Sequence, residues 1–425
     1  MKINTKHRTY DEVMALPKWK YYRPFKPSLL LHTVIRVGSI PSLLKTRFTY
    51  TSEGMEKVKN QPCLILMNHS SFTDLKIASA IFYPRPFGIV STTDSFVGKE
   101  WLMRFIGCIP TQKFVSDMTL IRDMEYMLKK KKAHVLMFPE AGYSFDGTAT
   151  VLPNKIGILL KKLNVPVVSV VTQGAFARDP LYNGLQIRKV PVSAQVKCLL
   201  TPEEIKEKSV AELDAMVAEM FRFDNFAWQR DNNIHITEKF RADGLERILY
   251  KCPHCGCESQ MEGKGTTLTC GSCGKVWEMD TLGQLKARED ETEYSHIPDW
   301  YAWQRAQVRK ELEDGTYGLE TDVDIGMMVD FKALYMVGTG HLSHNETGFR
   351  LTGCDGKLDY SQGPLASHCL NSDYFWYQIG DVIGIGNSEA LYYCFPKDGT
   401  SVTKTRLAAE ELYKIKKNRR VKATV

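Results

Sequence analysis

Cys63-Leu64-Ile65-Leu66-Met67-Asn68-His69-Ser70-Ser71-Phe72-Thr73-Asp74 is the stretch on which the fold turns. Five apolar residues in a row suit a short strand buried on both faces, and the polar turn after them leads into a helix beginning near Thr73. Ala133-His134-Val135-Leu136-Met137-Phe138 repeats the signal, preceded by a basic helix ending in Lys129–Lys132. Asn154–Leu163 then reads as a helix stopped by Val165-Pro166, and Val167–Val171 as a β-branched strand. Strands alternating with helices predict an α/β domain, a mostly parallel sheet with helices on both faces. In such sheets functional groups collect at the carboxyl ends of the strands.

His69 stands immediately after the first strand, and Asp74 five positions later falls at the start of the next helix. A carboxylate on one imidazole nitrogen fixes the tautomer and stabilises the imidazolium, leaving the other nitrogen to remove a proton from a hydroxyl. An Asp at a helix start is also favoured by the helix dipole alone, so the pair gains weight from its setting in a Ser/Thr-rich turn. No protein nucleophile accompanies the pair, so the attacking hydroxyl is expected on a substrate.

At these residues the chain resembles the glycerolipid acyltransferases, the lysophosphatidic-acid acyltransferase superfamily, whose members carry N-H-x₄-D, here Asn68 to Asp74. The family's G-x-I-x-x-x-R block is matched by Gly107-Cys108-Ile109-Pro110-Thr111-Gln112-Lys113, and F-P-E-G-T-R-S by Phe138-Pro139-Glu140-Ala141-Gly142-Tyr143-Ser144. Lys155-Ile156-Gly157 and Val165-Pro166-Val167-Val168 complete the series in family order. The resemblance implies that His69 is the general base and Asp74 its orienter, and that Glu140 helps to bind the acceptor. It also implies a thioester donor, acyl-CoA or acyl-carrier protein. Two departures concern the acceptor. Lys113 and Tyr143 stand where the family has the arginines that hold a phosphate, and a lysine keeps the charge but not the bidentate geometry. The substrate-binding set is therefore read as Glu140, Lys113, Lys155, Asn68, Arg104 and Tyr143, with a thinner phosphate clamp.

Cys252-Pro253-His254-Cys255-Gly256 and Cys270-Gly271-Ser272-Cys273-Gly274 are two C-x₂-C knuckles separated by 14 residues. Four thiolates in this spacing predict a tetrahedral, closed, structural zinc site, with Cys257 and His254 as spare candidates. One pair would suffice for redox chemistry. The region is not conspicuously basic, which disfavours a nucleic-acid role.

Around these motifs the chain divides into an acyltransferase domain with a basic N-terminal helical arm (1–244) and a zinc ribbon (245–282). A charged, aromatic linker (283–320) and a β-rich domain with a basic C-terminal helix and tail (321–425) follow. Residues 201–222 read as one capped helix opened by Thr201-Pro202-Glu203-Glu204. Runs such as Tyr374-Phe375-Trp376-Tyr377 and Leu391-Tyr392-Tyr393-Cys394-Phe395, with Asp355-Gly356 and Asp398-Gly399 turns, predict antiparallel strands before a helix from about Thr405 to Lys417. In outline this last module is similar to a pleckstrin-homology or GRAM domain.

The 425 residues, 43% hydrophobic and 25% charged, exceed what one domain needs and exclude a disordered chain. No run approaches the ~18–20 apolar residues of a membrane span, and no secretory signal is visible at the start. The net charge of +7 is unevenly spread: residues 1–50 carry 10 Lys/Arg against 2 Asp/Glu, and residues 412–425 carry 6 with no acid, which leaves −7 for 51–411. With Trp19, Tyr21, Tyr22 and the apolar run Leu29–Ile35, the basic arm suits an amphipathic element at a membrane surface, or a helix packed on the core. Eleven cysteines, an odd number, point to a reducing compartment. The expectation is a cytoplasmic O-acyltransferase, peripheral on the cytoplasmic face of the membrane, with a lysophospholipid or glycerol-phosphate-like acceptor. The alternative is an inactive lipid-binding zinc-ribbon scaffold or adaptor.

Overall fold

Strands and helices alternate through the first half of the chain, as the hydrophobic runs require. The computed structural model describes residues 2–58, 60–113, 118–153 and 155–424, with side chains to 420. Two units divide the chain: Lys20–Pro180 with Ile187–Trp228, and Met1–Trp19 with Leu181–Gln186 and Gln229–Val425. Strand β1 (Thr5–His7) belongs to the second of these.

In the first unit, β2 (Thr49–Glu53), β3 (Leu64–Met67), β4 (Phe87–Thr92), β5 (Cys108–Thr111), β6 (His134–Met137), β7 (Val167–Gln173) and β8 (Ser193–Leu200) form one sheet in the order β2-β8-β7-β3-β6-β4-β5. All its pairings are parallel except β7 with β8. All four side chains of the central β3 are fully buried, because helices cover both faces. Each such apolar side chain contributes about 1.5–3 kcal/mol. On one face Leu64, Leu66 and Val135 meet Met124 and Met127, Leu160 and Leu163, and Leu213 and Val217 from four helical segments. The helix Leu29–Lys45 packs on the helix Asp74–Phe82. The helix read from Asn154 is seen as Ile156–Leu163; Asn154 lies outside the described residues, as does the last residue of the basic tail. The stretch read as one helix over 201–222 is two, Pro202–Glu207 and Val210–Met220. Ser209 and Glu212 form a second capping box there, which restarts the helix after an extended Lys208.

The second unit holds two antiparallel sheets. β9 (Met261–Lys264), β10 (Thr267–Cys270), β11 (Val276–Met279) and β12 (Leu285–Ala287) are ordered β12-β11-β10-β9. β13 (Leu319–Met328), β14 (Leu334–Asn345), β15 (Gly348–Gly353), β16 (Leu358–Gln362), β17 (Asn371–Trp376), β18 (Gly380–Gly386) and β19 (Leu391–Pro396) are ordered β16-β15-β14-β13-β19-β18-β17. The chain start adds β1 alongside β14, in parallel. The terminal helix is Val402–Thr424.

The stretch 283–320, read as a linker, instead supplies β12 to the ribbon sheet and a helix, Ile297–Glu313. That helix buries Ile297, Trp300, Tyr301, Gln304 and Val308, one face at helical spacing, and Trp300 packs edge-on against Trp277 at 5.0 Å. Its density of charge concealed that face in the sequence. On the terminal helix, Glu410 and Glu411 receive the Arg305 guanidinium at 2.7 and 3.1 Å.

Candidate active site and metal site

The parallel pairing of β3 and β7 brings Asn68 to Thr172, and this pair sets the turn that carries His69. Asn68 is fully buried; its Oδ1 accepts from the Thr172 N–H (2.7 Å) and hydroxyl (3.1 Å), and its Nδ2 donates to Ser70 Oγ (2.9 Å). Expected on the substrate, Asn68 instead has its polar atoms occupied by the protein. A buried amide left unpaired would cost more than a substrate bond returns.

His69 and Asp74 meet as the motif predicts. The Nδ1 of His69 is 3.0 Å from Asp74 Oδ2, and the same oxygen accepts the N–H groups of Ser70 (3.0 Å) and Ser71 (3.2 Å). Asp74 is buried while the His69 side chain is 20% exposed, so the imidazole reaches solvent on one side only. With Nδ1 facing a carboxylate, Nδ1 carries the proton and Nε2 has its lone pair available. Among the described residues Nε2 has no hydrogen-bond partner.

Aromatic rings surround the imidazole. Phe138 stacks on it at 4.2 Å and Tyr143 at 3.9 Å, and Phe72 stacks on Tyr143 at 5.3 Å. Tyr143, which takes the place of an arginine in the resemblance, therefore lies directly on the His69 ring.

Glu140 is 1% exposed, and its carboxylate is turned into the protein. One oxygen accepts the His69 N–H at 3.1 Å; the other accepts the Thr150 N–H and hydroxyl, each at 2.9 Å. Burial is the largest influence on it and pushes its pKa up to about 7, against the lowering effect of these donors. Glu140 thereby ties the turn at His69 to the loop at Thr150.

The cations expected around the acceptor do not form one cluster of contacts. Arg104 is buried, bonded through Nε to Glu100 (2.8 Å) and held over the Tyr22 ring at 4.9 Å. Lys113 is half-buried two residues beyond β5, and Lys155 is exposed at the start of its helix. Among the described residues neither ammonium is engaged in a hydrogen bond or ion pair.

In the ribbon, Cys252, Cys255, Cys270 and Cys273 bring their sulfurs within 4.8 Å of one another. Cys252 and Cys273 are 3.9 Å apart and Cys255 and Cys270 3.8 Å. A tetrahedron with metal–sulfur bonds of about 2.3 Å has edges of about 3.8 Å, so these four sulfurs could hold a metal ion. Each knuckle closes on itself: Gly256 N–H donates to Cys252 O and Gly274 N–H to Cys270 O, both at 2.9 Å. Both glycines have φ of +76°, a conformation other residues adopt at a cost. The spare candidates lie apart, with Cys257 Sγ directed to the Glu258 carbonyl and His254 beside Glu293.

Residues 49–173 match the family model Acyltransferase. The match spans about a third of the chain and includes the His69 turn. Among solved structures the chain is similar to the 1-acyl-sn-glycerophosphate (LPA) acyltransferase PlsC from Thermotoga maritima. That match is 19% identical, covers 45% of this chain and 77% of that one, and has a TM-score of 0.35. No curated protein matches.

Proposed function

We propose that the protein transfers an acyl group from acyl-CoA or acyl-carrier protein to a hydroxyl of a lysophospholipid or glycerol-phosphate-like acceptor. The observation that carries this reading is the 3.0 Å contact of His69 Nδ1 with buried Asp74, which leaves Nε2 without a partner among the described residues. As the acceptor oxygen attacks the thioester carbonyl, Nε2 takes its proton and Asp74 stabilises the imidazolium. The new C–O ester bond forms, the C–S bond breaks, and the departing thiolate receives that proton from Nε2.

A cavity of about 520 Å³ beside β7, β8 and the helix Val210–Met220 supports the lipid character of the donor. Thr172, which also holds Asn68, is among its lining residues, and Leu199, Met216, Met220, Phe223 and Trp228 give it an apolar wall suited to an acyl chain. The aromatic rings on His69 favour an acceptor that presents an apolar surface beside its hydroxyl. Zinc is the ion best suited to the four ribbon thiolates; a closed S₄ set leaves no coordination position for substrate, so its role is structural.

Membrane attachment is part of the same proposal. Among the described residues no helix is long and apolar enough to cross a membrane. The helix Leu29–Lys45 exposes Leu30 (73%), Val34, Val37 and Leu44 (72%) along one face, and the helix Glu100–Ile106 exposes Trp101, Leu102 and Phe105. Residues 13–52 carry seven Lys/Arg and no acid, as contact with anionic lipid requires. We place the protein on the cytoplasmic face, where its thiols stay reduced.

The test is acyl transfer by purified protein, with each donor against a panel of lysolipids and glycerol phosphates. Wild type is expected to form ester and free thiol in equal amounts, and His69→Ala to form neither above background. No transfer by wild type, with lipid still bound, would favour the scaffold alternative. Equal activity of His69→Ala would remove His69 from the chemistry.

A further inference from the structure

We propose that Asp179 is a positioning residue of the His69–Asp74 pair, acting through the hydroxyl of Ser71. Its kinetic consequence rests on the acyl-transfer reading above; its geometry does not. All the side-chain hydrogen bonds of Asp74 fall on Oδ2, from His69 Nδ1, Ser70 N–H and Ser71 N–H, while buried Oδ1 has no partner. The direction of the carboxylate is thus set by where the backbone of residues 69–71 aims its donors. A small rotation of that turn would move Asp74 off the imidazole with no second contact to resist it.

Ser71 anchors the turn from within. It is 2% exposed, and its Oγ lies 2.5 Å from Asp179 Oδ1, a length typical of a hydroxyl donating to a carboxylate. A hydroxyl has one proton, so with that proton on Asp179 the 2.8 Å contact to Thr73 Oγ1 has Thr73 donating. The Thr73 N–H donates to the same oxygen at 3.0 Å. Ser71 Oγ is then saturated, giving one bond and accepting two.

Asp179 is itself fixed. It is 6% exposed, and its second oxygen takes the Arg178 guanidinium at 2.8 Å. The segment reaches it from β7 through Gly174, at φ +76°, where a Cβ would stand 2.2 Å from the Pro191 carbonyl oxygen. Thr172 and Asp179, seven residues apart on one segment, therefore grip the turn at Asn68 and at Ser71.

The experiment compares wild type, Ser71→Ala, Asp179→Ala and Asp179→Asn at pH 8, reading kcat and KM separately. Ser71→Ala and Asp179→Ala are expected to lower kcat about tenfold or more with KM changed less than about twofold. Asp179→Asn keeps an acceptor oxygen for Ser71 and should recover kcat to within about threefold of wild type. The double variant Ser71→Ala/Asp179→Ala should be no worse than the poorer single variant, since both break one contact. Unchanged kcat in both alanine variants, or no recovery in Asp179→Asn, would overturn the proposal.

A second readout needs no turnover. The Nδ1-bound proton of His69, protected by Asp74, should give a slowly exchanging NMR signal in wild type and Asp179→Asn that broadens or disappears in Ser71→Ala. If wild type transfers no acyl group, the acyl-transfer reading falls and this signal alone decides the role of Asp179. Ser71→Ala removes one hydroxyl and keeps the Asp179–Arg178 pair, so it carries the test should Asp179→Ala fail to fold.

Discussion

At Cys252–Cys257 and Cys270–Lys275, the bonds that close each turn are made within it: Cys252 N–H to Cys257 O, Cys270 N–H to Lys275 O, and the two glycine bonds. At Asn68–Asp74 the turn is held from far along the chain, by Thr172 on Asn68, Glu140 on the His69 N–H and Asp179 on Ser71. A metal-binding knuckle has to present two sulfurs from one short segment, and an ion can complete the order. A base has to keep one nitrogen bound and the other open, so rigidity has to come from neighbours that do not cover it. Local closure serves the first task and distant anchoring the second.

Breaking the locally closed region should have the largest effect. If the four sulfurs hold zinc, chelation or Cys270→Ser should remove the ion that would join the two knuckles; structural zinc binding amounts to about 10 kcal/mol or more in small ribbons and fingers. Expected outcomes are about one zinc per chain in wild type, none in the variant, and loss of amide protection over residues 250–288. Full protection without metal would contradict a structural role.

Next comes the pair itself. Asp74→Asn keeps the shape of the side chain but supplies no negative charge for the imidazolium. A fall in kcat of about 10²–10⁴-fold, the range of general acid–base catalysis, is the expected outcome in steady-state transfer assays. A change of less than threefold would mean that the 3.0 Å contact does not matter to the reaction.

The anchors predict a smaller, pH-dependent effect. Glu140→Gln sets an amide NH₂ against groups that donate, at a cost of about 1–3 kcal/mol in stability. Because burial raises the folded pKa of Glu140 from 4.5 to about 7, its titration favours the folded state most below pH 4.5. That contribution is lost as pH rises through 7, and it amounts to on the order of 3 kcal/mol. Asp179, raised by burial to about 6, has the same sign. Denaturant midpoints of wild type should therefore decline relative to those of Glu140→Gln between about pH 4.5 and 7. Parallel curves would show that Glu140 is ionised throughout.

The smallest effect is expected at Tyr143. Removing one ring from the imidazole with Tyr143→Ala loses about 0.5–1.5 kcal/mol of stacking, seen as a few-fold change in KM for the acceptor with kcat nearly kept. A loss as large as that of Asp74→Asn would place Tyr143 in the chemistry.

The contrast between the two regions also accounts for what the chain discloses when read as a string. The bonds that close each knuckle lie within six residues, so spacing revealed the four cysteines and left Cys257 and His254 as spare candidates. His69 and Asp74 were legible for the same reason. Thr172 and Asp179 were not, because only the crossover of a parallel sheet brings residues 104 and 108 positions away onto the turn, and Thr150 reaches it only through Glu140. Glu140 and Asn68 were legible as motif members, but their hydrogen-bond partners Thr150 and Thr172 were not, since motif membership does not say which way a polar side chain faces. The alternation of apolar strands and helices was enough for the parallel sheet, whereas the helix Ile297–Glu313 was hidden by charged residues on its exposed face.

Acyl transfer through His69 is tested most directly by a single turnover, with enzyme in excess over radiolabelled acyl-CoA or acyl-carrier protein and lysolipid acceptor present. Wild type is expected to form labelled ester at the rate free thiol appears, and His69→Ala to leave the thioester intact. Labelled ester formed by His69→Ala at the wild-type rate would rule out His69 as the base.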